Sequence, residues 1–211
     1  VNEIVQGILT AGLPDTREVT LAVAPQGTGN DWARSLGITR DPSHIAAVLA
    51  AGRTMLHDVG FIDFPEAGGT RRWFINVAGA GYDAWVSERV PRPVPSAFTY
   101  LRVALNGLAT YRSPEFHITA GHETITGRLL LAFVANARFC GNRMPVAPTA
   151  SMDDGVLDVL AVQELSLLQV LPKLVKLYRG RILGDRAVRH LRASTVRIET
   201  RPSVAVQADG Q

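Results

Sequence analysis

Hydrophobic and polar residues change their spacing twice in the first forty residues. In residues 1–9 the apolar side chains recur at helical spacing, and Gly12 and Pro14 follow, which predicts a short helix. Residues 19–24 form a continuous apolar run, as in strands buried within parallel sheets. A second helix is predicted to begin after Asp31. This helix–strand–helix order predicts that residues 1–40 are the remnant of an α/β nucleotide-binding domain.

After residue 40 the pattern changes to short β-like runs separated by turn residues. These runs cover residues 56–64, 71–78, 115–120, 124–136, 155–162, 195–200 and 203–207. Helices are predicted at 43–51, 96–111 and 166–179. Many short strands without alternating helices predict an antiparallel β-sandwich with inserted helices over residues 41–211, and therefore an α+β fold for the chain.

The helix predicted at 166–179 carries its own signals. Ser166 and Gln169 are in capping-box register, Gly180 provides a stop, and Pro172 should kink the helix or mark a new start. Its apolar residues fall on one stripe. They are Leu167, Leu171, Leu174 and Tyr178. The stripe predicts either a helix packed on the sandwich or one lying at an anionic membrane surface.

A glycine-rich turn joins the apolar run to the helix that follows it. Gly27 and Gly29 allow the backbone to approach a bound group, and a helix N-terminus offers free N–H donors to an anion. The turn therefore predicts a phosphate site, with a tight connector as the alternative. Asn30 could bind there or cap the helix that follows.

Charge and composition narrow the function classes. The 211 residues carry a net charge of +3, but residues 172–201 hold nine Lys or Arg against two acidic residues, which leaves −4 elsewhere. This basic segment suits anionic lipid or phosphate groups, or is an ordinary solvated surface. Aromatic residues are not interleaved with it, which disfavours nucleic acid. The single cysteine, Cys140, cannot form an intramolecular disulfide, and no apolar run approaches the ~20 residues of a membrane span, so we expect a cytoplasmic protein.

Asp153-Asp154-Gly155 is the best candidate for a metal site. Two adjacent carboxylates on a turn offer hard oxygen ligands that suit Mg²⁺, although a metal-free Asp-Gly turn has the same sequence. The five histidines show no ligand spacing.

Five short sequence motifs carry a family resemblance. They are Val-Asn-Glu at 1–3, Gly-Thr-Gly-Asn-Asp at 27–31, Asn-Val-Ala-Gly-Ala-Gly-Tyr-Asp at 76–83, Asp-Asp-Gly at 153–155 and Gln-Ala-Asp-Gly-Gln at 207–211. In this order the chain resembles the catalytic domain of the diacylglycerol kinase and sphingosine kinase family, most like the bacterial soluble lipid kinases. The resemblance implies a nucleotide domain, a β-sandwich domain and an active site in the cleft between them.

The resemblance also implies site residues. Gly27, Thr28, Gly29 and Asn30 would contact ATP. Asp154 would bind Mg²⁺ with the backbone oxygens of Ser151 and Val156, and Asp31 would join that ion through water. The catalytic carboxylate would lie in the last of these motifs, residues 207–211, on Asp209 or at Gln211.

Two departures from the family pattern affect activity. The family has a Gly-Gly-Asp-Gly-Thr phosphate loop immediately before the Val-Asn-Glu helix, whereas this sequence begins at Val1, so we expect the chain alone to bind ATP weakly. Gln211 stands where the family has Glu, and an amide cannot accept a proton at neutral pH.

The resemblance favours an ATP- and Mg²⁺-dependent lipid kinase with diacylglycerol as the first choice of substrate. Such an enzyme would lie peripherally on an anionic membrane, and a homodimer is left open. The alternatives are an enzyme of the NAD kinase type and a truncated, non-catalytic lipid-binding remnant.

Overall fold

The computed structural model describes residues 1–27, 29–65, 68–91 and 97–211. The helices are α1 (Asn2–Thr10), α2 (Asp31–Ser35), α3 (Pro42–Ala51), α4 (Tyr82–Arg89), α5 (Ala97–Gly107) and α6 (Leu167–Tyr178). The strands are β1 (Gly60–Phe64), β2 (Thr70–Phe74), β3 (Val77–Gly81), β4 (Glu115–Ala120), β5 (Glu123–Ala135), β6 (Leu157–Gln163), β7 (Val188–Ala193), β8 (Val196–Arg201) and β9 (Val206–Ala208). No helix in these ranges is long and apolar enough to cross a membrane.

Two antiparallel sheets share strand β5. The first has the strand order β7-β6-β5-β3-β9, and the second consists of the opening half of β5 with β4 and β8. The pairing of β5 with β6 shifts register between Leu129 and Leu131, where the 13-residue strand passes from one sheet to the other. Strands β1 and β2 form a separate hairpin. This arrangement confirms the predicted antiparallel β-sandwich.

The main core lies between the two sheets. Phe116 and Ile118 of β4 meet Ala132 of β5, Val159 of β6 and Leu191 of β7, all of them buried. Because side chains alternate along a strand, neighbouring residues such as Phe133 and Leu160 form a second cluster on the opposite face. That cluster is covered by residues 140–150 and by α6.

The predicted helices at 1–9, 43–51, 96–111 and 166–179 are present as α1, α3, α5 and α6. Ser96, the predicted first residue of α5, lies outside the described residues. Ser166 starts α6 as predicted, since its backbone N–H donates to Gln169 Oε1 at 3.0 Å. Helix α6 continues through Pro172, so of the two predicted effects the new start does not occur. The sequence analysis missed α4.

The predicted strand at 19–24 is wrong. These residues form no strand, and Val19 is 39% exposed. An apolar run becomes a strand only when a neighbour supplies hydrogen-bond partners, and no described segment pairs with it. Strand β7 was missed because its buried residues, Val188, Leu191 and Ala193, do not alternate regularly along the strand.

Candidate functional site

The Asp31 carboxylate joins the N-terminal region to the sandwich. Oδ2 accepts the backbone N–H of Asn142 at 2.9 Å, and Oδ1 accepts that of Arg143 at 2.7 Å. Gly141, Asn142 and Arg143 all have positive φ, between 62° and 73°. Successive N–H groups of such a turn form a concave nest that suits an anion. Asp31 therefore positions the start of α2 against the loop that follows β5.

The glycine-rich loop before α2 is closed by polar contacts to one carbonyl. Asn30 Nδ2 donates to the Gly27 carbonyl at 2.6 Å, and the Arg40 guanidinium donates to the same oxygen. The alternative role of Asn30 as a side-chain helix cap is not realised, since it makes no capping hydrogen bond. Thr28 lies outside the described residues. Arg40 adds a cation that suits a phosphate, and sequence reasoning missed it because it lies beyond the loop motif.

The Asp209 carboxylate is held by four donors. Oδ1 accepts the backbone N–H groups of Asn76 and Val77 at 2.9 and 3.0 Å. Oδ2 accepts the Ile75 N–H at 3.0 Å and Asn2 Nδ2 at 2.8 Å. A carboxylate with this many partners fixes its surroundings, and here it fixes the chain before β3.

Helix α1 is fixed on β2 through two amide side chains. Gln6 Nε2 donates to the Trp73 carbonyl at 2.6 Å, and the Trp73 N–H donates to Gln6 Oε1 at 3.3 Å. Asn2 donates to the same carbonyl at 3.0 Å and also to Asp209. The Val-Asn-Glu helix is thereby anchored to both β2 and the motif at residues 207–211.

Asp83 is a carboxylate that the sequence analysis quoted within a motif but gave no role. It is half-buried, and its Oδ2 accepts Gln207 Nε2 at 2.8 Å. A Cβ added to Gly79 would lie 2.5 Å from that same oxygen, so only glycine lets the carboxylate lie against β3. The buried Gln207 also accepts the Gly210 N–H, which links Asp83 to the turn at residues 207–211.

Three carboxylates lie near enough to Cys140 for their charges to affect its thiol. Burial raises the pKa of the Cys140 thiol well above its usual range, and the negative charges of Asp83, Asp31 and Asp209 raise it further. The structure thus brings together two of the sequence-predicted residues, Asp31 and Asp209, and adds Asp83. Gln211 is exposed at the end of the turn that contains Asp209, and its backbone exchanges two hydrogen bonds with Ala208.

The Asp153-Asp154-Gly155 turn has its own partners. Asp154 Oδ1 accepts the Val156 N–H at 3.1 Å, and its Oδ2 accepts the Arg192 guanidinium at 2.5 Å. Asp58, absent from the predicted site, accepts the Gly155 N–H at 2.6 Å. Since these contacts occupy the N–H groups of the turn, β6 begins only at Leu157.

The oxygen ligands at this turn suit Mg²⁺, but one carboxylate oxygen already accepts a hydrogen bond from Arg192. Asp154 and the carbonyls of Ser151 and Val156 are hard oxygen ligands, while Arg192 holds the carboxylate oxygen that an ion would use. No group of three or more His, Cys, Asp or Glu side chains suited to a metal occurs in the part of the chain that the structure describes. A magnesium ion here would displace Arg192 or share Asp154 with it.

A chain of hydrogen bonds joins α2 to the Asp154 turn. Trp32 Nε1 donates to His57 Nε2 at 2.8 Å, so the other ring nitrogen carries the proton and donates to the Asp58 carbonyl at 2.6 Å. Asp58 then accepts the Gly155 N–H. The glycine-rich loop and the metal candidate are thus linked through protein groups.

An open cavity of about 1590 Å³ lies between the two sheets and the β1–β2 hairpin. Phe61, Phe74 and Val134 supply apolar lining, and Asp58 lines it beside the Asp154 turn. Gly79 also lines the cavity. Asp83 lies on the other face of β3, since a Cβ added to Gly79 would point toward it while the Ala78 and Ala80 side chains face the cavity.

Comparisons with known proteins give the family. Residues 76–211 match the model of the YegS C-terminal NAD kinase beta sandwich-like domain, and residues 1–62 match the diacylglycerol kinase catalytic domain. A diacylglycerol kinase of Mycobacterium tuberculosis is 32% identical over 92% of this chain and 63% of its own length. One of Bacillus subtilis is 27% identical over 100% of this chain and 67% of its own length.

A crystal structure of a diacylglycerol kinase from Bacillus anthracis has the same fold. It is 24% identical, covers 91% of this chain and 61% of its own chain, and gives a TM-score of 0.66. The chain thus spans about two thirds of the length of the relatives that it matches. With the sandwich model alone matching well over half of its residues, the chain belongs to the family of diacylglycerol kinases and YegS-type lipid kinases.

Proposed function

We propose that this chain belongs to a lipid kinase that transfers the γ-phosphoryl group of ATP to the hydroxyl of a membrane lipid, with diacylglycerol as the first candidate. The observation that carries the proposal is that Asp31 joins the glycine-rich loop to the backbone of Asn142 and Arg143, beside Cys140, whose thiol also lies within range of the Asp83 and Asp209 charges. Phosphoryl transfer needs a phosphate cradle and a group that takes the hydroxyl proton, and these residues supply a candidate for each.

The phosphate cradle would be formed by Gly27, Gly29, Asn30 and Arg40. ATP, when bound, supplies the phosphoryl group. The residues of the chain hold the phosphates, and the Arg40 cation offsets part of their charge. Magnesium at Asp154 remains a proposal, and no step depends on it.

Asp83 is the group that we assign to the acceptor hydroxyl. Its carboxylate takes the proton as the hydroxyl oxygen forms a bond to phosphorus and the bond to ADP breaks. Gln207 orients it. Asp209 is a positioning residue, since its four hydrogen bonds fix α1 and the start of β3.

The cavity between the sheets favours a lipid acceptor. Its apolar lining, which includes Phe61, Phe74 and Val134, can take hydrocarbon chains.

An acceptor panel tests the function. Labelled ATP is offered with diacylglycerol, sphingosine or NAD to the chain extended by the residues encoded immediately upstream of Val1. We expect labelled phosphatidic acid from diacylglycerol. Labelled NADP would establish the NAD kinase alternative, and no labelled product with any acceptor would support a non-catalytic protein.

A further inference from the structure

Helix α6 turns a row of large apolar side chains to solvent. Leu168 is 84% exposed, Leu171 55%, Val175 51% and Tyr178 58%. These residues follow one another at intervals of three or four, so they share one face of the helix. Leu167 is 43% exposed at the start of the same face.

The opposite face of α6 is fixed on the sandwich. Leu177 packs against the cluster that contains Phe133 and Leu160. Lys173 and Lys176, also turned toward the body, donate to the buried Asp185 at 2.6 and 2.7 Å. The helix therefore cannot rotate its apolar row into the core without breaking both ion pairs.

Cations lie just beyond the C-terminal end of the exposed row. Arg179, Arg181 and Arg186 are exposed, and none of them forms an ion pair within the described ranges. Lys173 and Lys176 of the same basic segment share the single carboxylate of Asp185, which offsets one of their two charges. The three arginines add positive charge that complements anionic headgroups.

We propose that α6 is the element by which this protein docks on an anionic lipid bilayer, with Leu168, Leu171, Val175 and Tyr178 entering the interface and the three arginines contacting headgroups. An interfacial helix buries such a face at the boundary of headgroups and acyl chains, where a tyrosine ring is also favoured. The inference rests on the proposed lipid substrate. Leu177 shares its cluster with Cys140 and Met144, so docking would place the bilayer on the side of the molecule that carries the three carboxylates.

Vesicle sedimentation of the chain tests the proposal. Wild type should bind vesicles of phosphatidylglycerol with phosphatidylcholine and bind phosphatidylcholine alone much less. The double variant Leu168→Glu/Leu171→Glu should bind the anionic vesicles about tenfold or more weakly, because two charges would enter the interface. Leu49→Glu is the control, since Leu49 on α3 is 60% exposed and lies outside α6. It should bind as wild type does.

Unchanged thermal unfolding of the double variant, followed by circular dichroism, shows that the fold is intact. Equal vesicle binding by wild type and the double variant would overturn the proposal, as would no binding by wild type. A wild-type dimer that the double variant converts to monomer, with no vesicle binding, would identify a self-association face instead. Vesicle binding that depends on Leu168 and Leu171 without lipid phosphorylation would leave docking standing and reject the proposed function.

Discussion

Asp209 shows how the partners of a carboxylate decide what it can do. Its two oxygens accept three backbone N–H groups and the Asn2 amide, and these donors come from both ends of the chain. Proton transfer to Asp209 would weaken this set of charge-assisted bonds. Asp83 accepts a hydrogen bond from Gln207 and lies against Gly79 of β3.

Asp209→Asn is therefore expected to destabilise the fold. An amide in place of the carboxylate would point an N–H group at backbone donors, which costs about 2–3 kcal/mol in the free energy of unfolding. Urea denaturation measures it. Asp63→Asn, at an exposed ion pair with Arg71, is the control and should have little effect. Equal stability of wild type and Asp209→Asn would contradict the positioning role.

Magnesium is expected to stabilise the fold through Asp154. Binding to the folded state alone adds about 1.4 kcal/mol at ten times Kd, which raises the melting temperature by a few degrees. Asp154→Asn should abolish this shift. Arg192→Gln should enlarge it at limiting Mg²⁺, because Arg192 occupies the Asp154 oxygen that the ion needs. If wild type and Asp154→Asn gain equal stability in a Mg²⁺ titration by calorimetry, the turn holds no metal.

The ion pairs beneath α6 give the protein a defined acid sensitivity. Hydrogen bonds from Lys173 and Lys176 hold the pKa of Asp185 well below its usual range. Because the folded-state pKa is depressed, the contribution of Asp185 to stability is complete above the unfolded pKa of about 3.9 and is lost as the pH falls through the folded-state value.

Asp185→Asn should therefore lower the free energy of unfolding by about 2 kcal/mol at neutral pH. Its difference from wild type should shrink as the pH falls below about 4. Urea denaturation across pH measures this, with Glu164→Gln, at an exposed and looser pair with Arg128, as the control. A difference that stays constant down to the lowest pH would rule out the assigned linkage.

Elements whose patterns are local could be predicted from the sequence, and those that depend on distant partners could not. The bounds of β4 were predicted residue for residue, because its apolar residues alternate and turns flank it. The run at 71–78 was predicted as one strand. It is broken at Ile75 and Asn76 because Asp209, more than 130 residues away, takes the N–H groups there.

For the whole molecule, three sets of contacts hold the N-terminal region on the sandwich. In the first, the Asp31 carboxylate binds the backbone N–H groups of Asn142 and Arg143. In the second, the amide side chains of α1 bind Trp73 and Asp209. The third is the series of hydrogen bonds from Trp32 through His57 and Asp58 to Gly155. Each set includes at least one residue of the sequence motifs, namely Asp31, Asn2 with Asp209, and Gly155. Their roles could not be predicted, since a carboxylate in a motif looks the same whether it binds backbone, metal or substrate. The assignments of ATP to the glycine-rich loop and of catalysis to Asp209 or Gln211 remain predictions.

The most direct test of the account is the turnover of Asp83→Asn on diacylglycerol in detergent micelles, measured with labelled ATP in the chain extended upstream of Val1. General-base catalysis contributes ~10²–10⁴-fold, so we predict a loss of that size in kcat with little change in the melting temperature. Asp83→Glu should restore part of it. Turnover of Asp83→Asn within a factor of about three of wild type would contradict the assignment of Asp83 as the proton acceptor.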